Sequence, residues 1–253
     1  MGIRYGGLFE GIGAMAYAAR ALGFDLIWSN EINDYCCDKL EENFEHEIIR
    51  KDIREIGGHN LQPVDLVCGG FPCQPFSHAG IRRGKDDNRF LWPEMSRIIG
   101  ETKPRWVVGE NVPGLLTMED IFEEICTDLE DQGYQVQAYS IPAGACGSMG
   151  KRDRLFILAH SEHYGLKGGI SKDFKREDEL SEVFSPRFET GGLHEIEEVI
   201  LSKPGLCKNY DGLPRSVVKQ ELIAYGNAID VRVAYEILRM IQIYEQEGGA
   251  FFN

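Results

Sequence analysis

The feature of this sequence that most limits its fold is an alternation of short apolar runs with longer amphipathic stretches across its first two-thirds. The runs are rich in Val, Ile and aromatic residues, as strands buried on both faces are. The stretches between them are long enough for crossover helices, which specifies an α/β fold with a doubly wound, mostly parallel sheet. Strands are expected over 3–9, 26–29, 48–49, 64–68, 106–108, 134–139 and 155–159, and helices over 14–22, 33–44, 92–99 and 121–129. The first strand is the weakest, because Gly6 and Gly7 dilute it. After His160 the periodicity dissolves until about residue 213. Order returns at 217–225 and in an apolar helix over 228–243, expected to pack back on the first domain. The organisation is therefore 1–160 with 214–245 as one domain, 161–213 as a small irregular lobe, and 246–253 as a frayed tail.

Composition removes several function classes. The 253 residues carry a net charge of −14, which argues against coating nucleic acid or an anionic membrane by bulk charge, though not against a local basic cleft. No apolar run approaches the roughly 20 residues of a membrane helix. The N-terminus enters the structured pattern without the features of a signal peptide. Seven Cys, with no CxxC pair, predict neither a disulfide framework nor a metal site, and favour a reducing cytoplasm.

Four motifs fall at expected strand ends, where open α/β sheets bind ligands. Phe9-Glu10-Gly11-Ile12-Gly13 joins the first strand to a helix, so that its backbone could approach a ligand at the helix N-terminus. Glu31 follows Gly11 by 20 residues, where an acid can accept from ribose hydroxyls, and Asp52 ends the third strand within reach of an adenine amino group. Either acid alone could instead be a helix cap. The third Gly of a dinucleotide fingerprint is missing, which favours a cofactor without pyrophosphate, such as S-adenosylmethionine. Gly70-Phe71-Pro72-Cys73-Gln74-Pro75 ends the fourth strand with a thiol held between two prolines, either presented to a substrate or buried in a turn. Glu110-Asn111-Val112-Pro113 ends the fifth strand, facing the same cleft. Arg152 and Arg154 lie two residues apart at the start of the last strand, on one face. The remaining six cysteines read as structural.

Taken together and in this order, these motifs, with Gly226-Asn227-Ala228 near the end, resemble those of the DNA (cytosine-5)-methyltransferases over residues 3–160 and 210–245. The resemblance implies a Rossmann-like methyltransferase sheet and transfer of a methyl group from S-adenosylmethionine to carbon 5 of cytosine in double-stranded DNA, leaving S-adenosylhomocysteine. It makes Cys73 the nucleophile at carbon 6. Glu110 would bond the base's N3 and amino edge, and should be easily protonated. Arg154 would bond the O2 carbonyl, with Arg152 supporting the pocket. Phe9, Gly11, Gly13, Glu31, Ile32, Asp52, Ile53, Pro72, Leu91, Asn227 and Ala228 would line the cofactor site. Gln74, Ser77, Arg82, Arg83, Lys85 and Arg89 would contact DNA around a base flipped from the stack.

Residues 161–213 would stand where the family recognises its target, with Lys167, Lys172, Lys175, Arg176 and Arg187 interleaved among acids. Two positions depart from the family pattern: Gly150 stands where a Gln usually precedes the arginine pair, and Val231 near where a Pro usually follows Gly-Asn-Ala. The resemblance places the protein in a bacterial or phage-encoded setting, without a metal, and leaves room for a cognate restriction endonuclease acting on the same site. Competing readings are the same chemistry on RNA, a catalytically silent relative, which would be expected to lack Cys73 or Glu110, and a dinucleotide-dependent oxidoreductase.

Overall fold

The computed structural model describes residues 2–72, 90–146, 153–161, 224 and 228–246. Seven strands form one sheet: β1 (Arg4–Leu8), β2 (Asp25–Glu31), β3 (Glu47–Arg50), β4 (Leu66–Gly69), β5 (Trp106–Asn111), β6 (Tyr134–Pro142) and β7 (Asp153–Ser161). Among the described residues five α-helices accompany them: α1 (Ala14–Ala21), α2 (Asp34–Asn43), α3 (Trp92–Thr102), α4 (Glu119–Asp131) and α5 (Val231–Gln246). The spatial order is β3-β2-β1-β4-β5-β7-β6. The first five strands are parallel, while β7 runs antiparallel between β5 and β6.

Period-two alternation along the central strands splits the core in two. Leu66, Cys68, Trp106, Val108, Phe156 and Leu158 face a layer containing residues of α1, α2 and α5. Val67, Val107, Leu155 and Ile157 face α3 and α4 on the other side. Both faces are therefore covered, and the central strands read as continuous apolar runs for that reason.

The glycines that made β1 look weak are what allow it. Gly6 pairs with Trp28 of β2 at a register shift between Tyr5 and Gly6. A Cβ on Gly6 would lie 2.4 Å from the Trp28 ring, so only glycine lets that fully buried indole lie across β1. Trp28 Nε1 donates to the Gln62 carbonyl at 2.9 Å, which satisfies its one polar atom.

Several strands run further than the apolar runs suggest, because polar residues at their carboxyl ends continue the ladder. β2 extends to Glu31 and β5 to Asn111. The antiparallel β6–β7 pair was not expected from the sequence. The last helix also runs three residues past its expected end at 243, to Gln246. Glu245 belongs to α5, ion-pairs with Arg105, and accepts from Trp106 Nε1 at 2.7 Å, so the helix end is anchored rather than frayed. Of the ordered stretch expected over 217–225 only Ala224 is described, and the 161–213 lobe lies outside the described residues apart from Ser161.

Candidate active site

Parallel strands place their carboxyl ends along one edge of the sheet, which brings Phe9, Glu31, Asp52, Phe71 and Glu110 to the same side of the molecule. The antiparallel course of β7 adds its opposite end to this edge. Glu110 pairs with Phe156 and Asn111 with Leu155, so Arg154, one residue earlier, stands beyond the end of β5. The first residues of a late strand thus meet the last residues of an earlier one. Arg154 Nε lies 2.7 Å from Glu110 Oε1, with both side chains largely enclosed, at 16% and 10% exposure.

Phe71, just before Pro72, is fixed to the same place. Asn111 Nδ2 donates to the Phe71 carbonyl at 3.0 Å, and its Oδ1 accepts the Val112 amide at 2.9 Å. The Phe71 ring packs on Trp92, with centroids 5.2 Å apart. A Cβ on Gly70 would stand 3.0 Å from Glu110 Oε2, so glycine there lets the carboxyl lie against the end of β4. Nothing in the sequence gave Asn111 a role of its own. The adjacency of Glu110 and Asn111 at the end of one strand was the available sign.

The glycine turn has the conformation that its residues suggest. Phe9, Gly11 and Gly13 have φ of 52°, 61° and 90°. The space where a Cβ of Gly11 would sit holds no atom within 4 Å, whereas one on Gly13 would meet Phe44 and Leu40. Gly11 keeps the ligand side open, and Gly13 lets α1 pack closely on α2.

Glu31 is turned toward this loop. Its Oε2 accepts the Gly11 amide at 2.8 Å, and its Oε1 accepts the amides of Ile32 and Asn33 at 2.9 and 2.8 Å. Ile32 beside it is 64% exposed, an apolar side chain presented at the sheet edge. Val112, after β5, is 47% exposed. Asp52 caps the 3-10 turn over Ile53–Glu55, accepting the Arg54 amide at 3.0 Å and pairing with its guanidinium at 2.9 Å. Its approach is set by buried Asn30, whose Nδ2 donates to the carbonyls of Ile49 and Lys51. The Ile53 side chain is buried in the core with Leu8 and Trp28. Contact with a ligand is therefore open only to its backbone. Leu91, just before α3, is partly buried against the same core, and Pro72 and Ala228 are partly exposed.

Cys73, Gln74, Ser77, Arg82, Arg83, Lys85, Arg89, Arg152 and Asn227 lie outside the described residues, as do Gly150 and Cys207. Cys36, Cys37, Cys68, Cys126 and Cys146 carry free thiols, and burial pushes those of Cys36 and Cys146 up to about 12 and about 11. Among the described residues no cluster of His, Cys, Asp and Glu could hold a metal ion, and no helix is long and apolar enough to cross a membrane.

A profile of the C-5 cytosine-specific DNA methylases matches residues 3–203. The chain is similar to the type II methyltransferase M.MspI of Moraxella sp., with 30% identity over 95% of this chain and 57% of the relative. It is similar to M.HhaI of Haemophilus parahaemolyticus, with 26% identity over 86% of this chain and 66% of that one. Among solved structures, a DNMT2 mutant of Spodoptera frugiperda shares its fold, at a TM-score of 0.61 and 15% identity, over 94% of this chain and 98% of that one. The chain spans about half the length of the curated relatives it matches.

Proposed function

Because this chain belongs to the C-5 cytosine-specific DNA methylase family, we propose that it transfers a methyl group from S-adenosylmethionine to carbon 5 of cytosine in double-stranded DNA. The observation that carries this reading is the ion pair of Glu110 with Arg154 at the carboxyl edge of the sheet, with Asn111 holding Phe71, two residues before Cys73 in sequence, at the same strand end.

The residues at the edge suit such a donor. The open turn at Gly11, the carboxyl of Glu31 and the exposed apolar side chain of Ile32 offer backbone, a hydroxyl acceptor and a surface for a ring. Phe9, Gly13, Asp52, the Ile53 backbone, Pro72, Leu91, Asn227 and Ala228 complete the proposed cofactor site. S-adenosylmethionine, when bound, supplies an electrophilic methyl group on a sulfonium.

Carbon 5 of cytosine is a weak nucleophile. The Cys73 thiolate forms a bond to carbon 6, and the electron pair displaced from the ring's double bond makes carbon 5 enamine-like. Glu110 bonds N3 and the amino group and supplies a proton there as the ring gains charge. Arg154 leaves Glu110 for the O2 carbonyl, so that the carboxyl takes a proton from water, passes it to N3 and regains it when the ring is restored, and Arg152 supports the pocket. After methyl transfer, loss of the carbon-5 proton expels Cys73 and restores the ring. The base must leave the duplex first, at a cost of a few kcal/mol. Gln74, Ser77, Arg82, Arg83, Lys85 and Arg89 are proposed to hold the DNA around it. A cytoplasmic protein from a bacterial or phage genome, with or without a cognate endonuclease, fits this activity.

Transfer of tritiated methyl onto DNA and onto RNA, followed by mapping of the modified base, tests the proposal. Label in 5-methylcytosine of duplex DNA supports it. Label confined to RNA, or to another base, overturns it.

A further inference from the structure

Glu10 is a partly buried residue in the glycine turn to whose carboxyl the chemistry above gives no task. Its side chain folds back over β1 into a slot that exists because residue 7 is glycine. A Cβ there would lie 1.8 Å from Glu10 Oε2 and 3.0 Å from the Tyr5 hydroxyl. In that slot Oε2 accepts the Tyr5 hydroxyl at 2.7 Å, and Oε1 accepts the Ala16 amide of α1 at 3.0 Å. One side chain thus ties the turn to the strand behind it and to the helix ahead of it, across the three positive-φ residues Phe9, Gly11 and Gly13. The next amide, Gly11 N–H, is held by Glu31. Two carboxyl groups therefore flank one turn.

We propose that Glu10 is a positioning residue for the methyl donor: it holds the glycine turn in its ligand-facing shape, and the charge it carries sets how tightly a sulfonium ligand binds there. The inference rests on the cofactor reading given above.

The surroundings make that charge variable near neutrality. Burial, reinforced by the negative charge of Glu31, pushes Glu10 up to about 7, while the Tyr5 hydroxyl, the Ala16 amide and Ser29 pull it back. The groups that face it from the packed elements are Tyr5 of β1, Glu31 of β2 and Cys68 of β4. His46 lies one contact further, 2.8 Å from Ser29 Oγ. Burial raises Tyr5 and Cys68 well above their ordinary values and lowers His46, so none of these three titrates upward into the same range. An ionised Glu10 favours a cationic ligand. By linkage, donor binding then releases a proton and affinity rises with pH. S-adenosylhomocysteine lacks the sulfonium charge and should feel this far less.

Calorimetric titration of the full chain with each ligand between pH 6 and pH 8 tests the idea. If one positive charge lowers the Glu10 pKa by about one unit, wild-type protein binds S-adenosylmethionine about fivefold tighter at pH 8 than at pH 6. S-adenosylhomocysteine should change by less than about twofold. Glu10→Gln keeps an acceptor for Ala16 and can donate to the Tyr5 oxygen, so it should fold, bind both ligands and lose the pH slope. Tyr5→Phe removes a bond that favours the carboxylate and should move the rise to higher pH. A wild-type slope retained in Glu10→Gln, or equal slopes for the two ligands in wild type, overturns the inference while leaving the activity intact. Failure of wild type to bind either ligand at any pH overturns the cofactor reading, and this inference with it.

Discussion

The 2.7 Å ion pair between Arg154 Nε and Glu110 Oε1 joins the start of β7 to the end of β5. It exists because β7 runs antiparallel to its neighbour. Two largely enclosed side chains 44 positions apart in sequence thereby meet, and each restrains the other's rotamer. In the proposed mechanism a cytosine edge divides this pair, its O2 taking the guanidinium and its N3 side the carboxyl.

Glu110→Gln should therefore lower methyl transfer by at least about a hundredfold, because the amide cannot supply the proton at N3. Donor affinity should be unchanged, since the cofactor residues lie on other strands. Arg154→Lys keeps the charge and loses the planar fork, and should also slow transfer. Single-turnover rates alongside donor binding check both. Wild-type rates in Glu110→Gln would remove the carboxyl from the mechanism.

Asn111→Ala should cost about 1–3 kcal/mol of stability, because the Phe71 carbonyl and the Val112 amide lose a buried partner. Transfer should slow more than binding weakens, since what loosens is the root of the Cys73 segment. Urea unfolding and the split between kcat and KM report the two effects.

Gly6 and Gly11 should answer alanine differently. At Gly6 the new Cβ meets the Trp28 ring at 2.4 Å, and overpacking of that kind costs about 1–3 kcal/mol. At Gly11 the space is open and the cost is backbone strain at a φ of 61°, about 1–2 kcal/mol. Gly6→Ala should chiefly lower the unfolding midpoint, and Gly11→Ala should chiefly weaken donor binding.

The contrast shows what could be read in the residues alone. The sheet, its crossover helices and the strand-end motifs were legible because apolar runs and glycine turns are local signals. The tolerance of β1 for two glycines was not, since its cause is an indole on β2 and a carboxyl three residues ahead. The reversal at β7 left no local mark either, so nothing in the Arg152–Arg154 spacing announced a partner on β5. Asp52 shows the opposite limit. Its bonds are those of a cap on the Ile53–Glu55 turn, an ordinary role for an acid before a turn, and one that holds whether or not it also meets an adenine. The resemblance implies Ile53 at the cofactor site, and there the turn directs its side chain into the core, leaving only its backbone. The end of α5 was misjudged because the partners of Glu245 lie about 140 residues earlier.

His160 gives a pH dependence with a definite sign. It packs between Trp106 and Tyr244, and burial lowers it from its ordinary 6.5 to about 4, against a small opposing effect of Glu245. Above pH 6.5 it is neutral in folded and unfolded chains alike and contributes no slope. As pH falls below 6.5 the unfolded chain takes a proton that the folded one refuses, so stability is lost progressively down to about pH 4. His160→Phe should lose less stability than wild type over that window when unfolding midpoints are compared at pH 7 and pH 5. Parallel curves would show that another group carries the effect.

The central claim is covalent addition of Cys73 to carbon 6 of an extruded cytosine. Duplex DNA carrying 5-fluorocytosine tests it most directly, because fluorine cannot leave as the carbon-5 proton does, and the adduct persists after methyl transfer. Incubation with S-adenosylmethionine, digestion and mass analysis should find the methylated fluorocytosine joined to the peptide that contains Cys73, and no adduct with Cys73→Ala. An adduct at another residue, or continued turnover by Cys73→Ala on ordinary DNA, would contradict the account.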